Sequence, residues 1–142
     1  MTRIDFYVLD NPTPDLHDRM LCRVVEKAWQ QGHSIYVQCE DAGQARAFDT
    51  LLWRFQDTSF VPHALADTES SDVPVLIGMR PESVRVPDVL VNLSQHVPAT
   101  ASQFTRVVET AGFDDASRSA ARTRYRHYQE RGFPLNTHKL SR

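Results

Sequence analysis

Apolar positions along this chain come in two spacings, and the two alternate. Arg3 to Leu9 is rich in β-branched and aromatic residues and ends in the turn cluster Asn11-Pro12-Thr13-Pro14, which predicts a first strand. From Asp15 the apolar residues Leu16, Met20, Leu21, Val24, Val25, Ala28 and Trp29 recur at helical spacing up to Gly32, a natural stop. Ser34 to Gln38 predicts a second strand. Asp41 is placed to cap a second helix, whose apolar face is Ala42, Ala45, Phe48, Leu51 and Leu52.

Residues 54–72 break the pattern: Phe60-Val61-Pro62-His63 reads as an apolar turn and Asp67 to Asp72 as a polar loop. Val73 to Gly78 and Asp88 to Leu93 are compact apolar runs suited to strands buried on both faces, and Phe104 to Glu109 is a further strand candidate. Asp114 to Arg131 has no Gly or Pro and is dense in Ala and Arg, which predicts a last helix. Strands alternating with helices predict an α/β fold with a mostly parallel, twisted sheet and flanking helices.

Composition narrows the reading. The 142 residues, 41% hydrophobic and 24% charged, with Gly 5 and Pro 8, suit one domain over residues 1–142 with a real core. No apolar run is long enough for a membrane span, and Asp5 interrupts the N-terminus before any signal-like stretch, so a cytoplasmic protein with no membrane partner is expected. Cys22 and Cys39 form no C-x-x-C motif and are expected as reduced thiols. The net charge of −2 hides a division: residues 1–113 carry 9 basic and 15 acidic side chains, whereas residues 114–142 carry 7 basic and 3 acidic.

In open α/β sheets ligands sit beyond the carboxyl ends of the strands, where this sequence delivers Asp10, then Glu40 and Asp41, then Gly78, then Asn92 and Ser94. Asp10, Glu40 and Asp41, if they converged, could hold Mg²⁺ for a phosphohydrolase or nuclease. Against this, there is no Walker-type loop and no G-x-G-x-x-G, and both Asp10 and Asp41 occupy turn or capping positions. The histidines show no zinc spacing, no G-x-S-x-G is present, and a Cys39–His63 nucleophile pair competes with an inert core thiol. No metal or cofactor is expected.

The last helix is more informative. At 100° per residue Arg118, Arg122, Tyr125 and Gln129 share a stripe with Arg126 on its flank, leaving Ala116, Ala120, Ala121 and Tyr128 to face the body. Guanidinium groups beside a phenol ring suit a short acidic peptide, although a solvated helix face has the same composition. The acidic remainder of the chain argues against a long phosphate track. A second segment, Leu51 to Phe55 followed by Ser59 to His63, gathers Trp53, Phe55 and Phe60, which either roof the core or form an exposed anchor.

Together these strings resemble the chi subunit of the bacterial DNA polymerase III holoenzyme, a small clamp-loader accessory protein. The resemblance runs through Phe6 to Asp10, Cys39-Glu40-Asp41, Leu52-Trp53, the specific string Ser59-Phe60-Val61-Pro62-His63, Val89 to Leu93, Arg124 to Tyr128 and Gly132 to Thr137. It implies a Rossmann-like, nucleotide-binding-like fold without a phosphate loop, and an adaptor rather than a catalyst. It implies binding of the acidic C-terminal tail of single-stranded-DNA-binding protein at Arg118, Arg122, Tyr125 and Arg126. It also implies binding of the psi subunit at an exposed patch of Trp53, Phe60, Val61, Pro62 and His63, with a helicase-like protein or another clamp-loader subunit as alternative occupants. DNA would be contacted only through these partners.

Overall fold

A computed structural model describes residues 2–10, 13–55, 61–66 and 73–140. Strands β1 (Arg3–Leu9), β2 (Ile35–Gln38), β3 (His63–Leu65), β4 (Val75–Gly78), β5 (Val89–Asn92), β6 (Arg106–Thr110) and β7 (Leu135–Leu140) form one sheet of order β3-β4-β2-β5-β6-β1-β7. Every pairing in it is parallel. Parallel neighbours need crossovers, and helices α1 (Pro14–Gln30), α2 (Ala42–Arg54) and α3 (Asp115–Glu130) supply three of them.

Each helix begins where the sequence offers a cap. The Thr13 hydroxyl accepts from Leu16 N at 3.2 Å with Pro14 in the first turn, and the Asp41 carboxylate accepts from Gln44 N at 2.8 Å. Asp114 and Ser117 form a reciprocal capping box at α3. Gly112, at φ +80°, makes the turn from β6 into α3, and a Cβ there would run into Ser117 Oγ.

The sheet is covered on both faces, and strand alternation sorts the core into two layers. Ile35, Val37, Val75, Ile77, Val89, Val91 and Val108 pack with Leu21, Val25 and Ala28 of α1 and with Ala45, Phe48 and Leu52 of α2. On the other face Ile4, Phe6, Tyr36, Leu90 and Val107 pack with Ala121 and Tyr128 of α3. Cys22 and Cys39 are free and fully buried, and burial pushes both thiols up to about 12.

Five strands fall where the sequence places them, within two residues at either end. β6 is the most displaced: it starts at Arg106, and Phe104, expected inside it, is a buried loop residue. Two strands escape the sequence reading. The segment expected as an apolar turn opens into β3, and β7 has no apolar alternation to reveal it. The expected loop Asp67 to Asp72 lies outside the described residues. Among the described residues no helix is long and apolar enough to cross a membrane.

Candidate functional site

The sheet order decides the carboxylate hypothesis first. β1 and β2, which carry Asp10 and Glu40-Asp41 at their ends, are separated by β5 and β6, three strand spacings or about 14 Å. Each carboxylate is also otherwise placed: Asp41 caps α2, Glu40 Oε2 accepts from Gln95 N at 3.1 Å, and Asp10 is exposed in the turn after β1. No group of three metal-ligating side chains occurs among the described residues. The three-carboxylate Mg²⁺ site expected as an alternative is therefore not assembled. The Cys39–His63 pair fares no better, because the His63 ring nitrogens lie 2.6 Å from Val61 O and 3.0 Å from Asp49 O.

What the carboxyl edge does contain is a buried polar network. Glu109, wholly buried at the end of β6, accepts from Arg124 Nε at 2.9 Å, Asn92 Nδ2 at 2.9 Å and Tyr128 Oη at 2.7 Å. Arg124 also donates to the carbonyls of Gln95 and Thr110, both at 3.2 Å. Burial pushes the Glu109 carboxyl up and the Tyr128 phenol up, and the Arg124 charge opposes both shifts. This network fastens α3 to β5 and β6, and so fixes which face of α3 meets solvent. Sequence reasoning missed Arg124, although it shares the stripe of Ala121 and Tyr128, three and four residues away. Ala116, expected to face the body, is exposed because it lies one turn before α3 closes on the sheet.

On the outer face of α3, Arg122 and Arg126 are exposed and Arg118 is half-buried. Among the described residues no carboxylate lies within salt-bridge distance of any of the three. Tyr125, expected to be exposed, is instead half-buried, its ring set edge-on to Phe6 at 5.2 Å between centroids. It belongs to the fringe of the second core layer together with Phe133 and Leu135. The four residues thus form a cationic strip with an anchored ring on its border, held rigid by the network beneath.

The aromatic segment behaves differently from expectation. Trp53 is 51% exposed at the end of α2 and its ring lies 4.6 Å from that of His63. Val61 and His63 are buried and Pro62 is half-buried, so the expected exposed patch is corrected at these positions. The physical reason is β3: pairing with β4 carries His63 under α2, where Nε2 also lies 3.4 Å from the Asp49 carboxylate, and Val61 enters the first core layer. Phe60 lies outside the described residues.

A cleft of about 860 Å³ opens at the carboxyl edge between α1, α2 and the start of α3, bordered by His17, Phe48, Thr110, Phe113 and Arg124. Its buried polar groups are already engaged: Thr110 Oγ1 meets His17 Nε2 at 2.9 Å, and burial lowers the His17 imidazole's affinity for a proton.

Fold and site together define a class: a parallel α/β protein wound on both sheet faces, with a cationic helix strip and without a glycine loop at its carboxyl edge. Over residues 1–136 the chain matches the family described as DNA polymerase III chi subunit, HolC. It is 39% identical over 142 residues to DNA polymerase III subunit chi of Pseudomonas aeruginosa, an alignment covering 100% of this chain and 99% of that one. It is 34% identical over 145 residues to DNA polymerase III subunit chi of Escherichia coli, covering 96% and 97%. The chain belongs to the DNA polymerase III chi subunit family. Among solved structures, that of T4 UvsW superposes with a TM-score of 0.69 at 9% identity, covering 99% of this chain and 42% of that one, and so shares the fold.

Proposed function

We propose that this chain is a non-catalytic adaptor of the DNA polymerase III clamp loader that binds the acidic C-terminal tail of single-stranded-DNA-binding protein through Arg118, Arg122, Tyr125 and Arg126. The observation that carries this reading is that, among the described residues, no carboxylate lies within salt-bridge distance of the three guanidinium groups, on a helix whose other face is locked by Glu109. Free guanidinium groups in fixed positions grip carboxylates in a two-pronged manner, and the Tyr125 ring gives an apolar neighbour a wall. Modest affinity at this strip becomes useful when the same chain is tethered to the clamp loader.

The second contact in this reading is the psi subunit, met at Trp53, which among the described residues of the predicted patch is the member more than half exposed. Phe60 belongs to the same proposed contact, and Val61, Pro62 and His63 then act as its support or its border, not as a flat apolar surface. A helicase-like protein is the competing occupant of the same patch.

Fluorescence anisotropy of a labelled acidic peptide ending in Pro-Phe tests the first contact. Saturable binding that needs the final Phe and falls at least tenfold in Arg122→Ala is the expected result. Absence of binding by folded protein at low salt would remove the reading. For the second contact, Trp53→Ala should abolish co-purification with psi while leaving tail-peptide binding intact.

A further inference from the structure

The chain has a second cationic surface, on the opposite side of the sheet from the α3 strip. Among the described residues only α1 and α2 cover that side of seven strands, and the stretch over β6, β1 and β7 is left as an open groove of about 720 Å³ between α1 and the sheet. Five of the nine basic residues in the otherwise acidic segment 1–113 line it. Arg19, Arg23 and Lys27 stand one helical turn apart along α1, all exposed, and Arg3 and Arg106 rise from the sheet opposite.

Compensating charge is sparse. Asp15 lies 3.3 Å from Arg19, and the buried Asp5 beneath the groove takes both Arg3 and Arg106, at 3.1 and 2.6 Å. Neither Arg23 nor Lys27 has a carboxylate within salt-bridge distance among the described residues. Between the cations the groove is apolar: Leu16, Met20 and Val24 on the helix side, Leu9 and Leu140 on the sheet side.

We propose that this groove is a docking site for an acidic amphipathic helix of a partner protein, separate from the α3 strip. Cations about 6 Å apart along α1 match carboxylates repeated every fourth residue on a neighbouring helix, and the apolar floor takes that helix's hydrophobic stripe. Single-stranded nucleic acid fits less well, because its bases need aromatic platforms. Among the described residues Tyr7 is the one aromatic side chain lining the groove; its ring is stacked on His138 at 4.7 Å and its hydroxyl accepts from Arg106 at 2.8 Å.

The probe is a fluorescein-labelled synthetic 15-residue helical peptide with Glu at every fourth position and Leu on the adjoining stripe, titrated into the full chain by anisotropy. Methyl NMR of Met20, Val24 and Leu140 reports where it sits. The expected result is saturable binding, methyl shifts at those three residues, at least about tenfold weakening in the doubly substituted Arg23→Ala, Lys27→Ala protein, and no change in Arg122→Ala. Binding lost in Arg122→Ala but kept in the double variant would overturn the proposal by placing the peptide on α3. So would equal binding of a peptide with Ser in place of Leu, tighter binding of a 15-nucleotide oligothymidylate that shifts the same methyl groups, or no binding of the probe. Arg23→Glu, Lys27→Glu, at two exposed positions, serves as a second variant and is expected to abolish binding of the probe.

Discussion

Arg124 and Glu109 form the one ion pair among the described residues in which both side chains are less than a tenth exposed, and that pair ties α3 to the sheet. Buried pairs contribute modestly as pairs, but removing one partner leaves the other charge stranded in an apolar layer. Arg124 therefore differs in kind from Arg122 and Arg126 on the same helix, although all three are arginines within five residues.

Arg124→Ala is expected to cost about 3–5 kcal/mol, whereas Arg122→Ala should change stability by about 0.5 kcal/mol or less. Urea denaturation of the two variants beside the parent checks this. Equal effects would mean that α3 is not fastened through Glu109.

The turn into α3 makes a second prediction. Gly112→Ala places a Cβ at φ +80° and against Ser117 Oγ, so it combines backbone strain with loss of the capping box. A loss of about 2 kcal/mol follows, seen as a lower Tm.

Asp5 links stability to pH. Burial alone would raise its carboxyl, but hydrogen bonds from Arg106 and His138 outweigh burial and hold it below the ordinary carboxylate value. A carboxyl held low in the folded state contributes stability that is present above its unfolded value, near pH 4, and is lost as pH falls through the folded one. Asp5→Asn should cost about 2 kcal/mol at pH 7, and the difference from the parent should shrink as the pH is lowered past 4. Denaturant titrations at pH 7, 5 and 3 measure it.

Both thiols are buried and pushed up to about 12, so almost no thiolate exists near neutral pH. A thiol-reactive chromogenic disulfide is expected to label neither Cys22 nor Cys39 in native protein at pH 8, and both within minutes once the chain is unfolded in urea.

Much of this was legible beforehand. The cap Asp41, the span of α3, the α1 stripe and the twofold-buried runs at β4 and β5 all follow from the sequence, because local propensity and burial agree there. β7 was not, since four of its six residues face solvent at the edge of the sheet and only pairing with β1 makes it a strand. The α3 strip could be read from helical phase, but Arg124 could not be told from its neighbours by residue type. Its role depends on Glu109, a carboxylate closing an apolar run, which was itself a sign that some cation must reach the core. The groove along α1 went unseen because a segment averaging acidic conceals a basic stripe whose opposite wall comes from Arg106, some eighty residues later.

The position of β1 has a consequence for how the chain comes into being. Among the described residues its neighbours in the sheet are β6 and β7, formed by residues 106–110 and 135–140. During synthesis β1 must therefore wait for about a hundred further residues before any partner strand exists, with Ile4 and Phe6 uncovered meanwhile. A nascent chain stalled before residue 106 would hold β1 as an unpaired hydrophobic strand, open to pairing with the wrong neighbour.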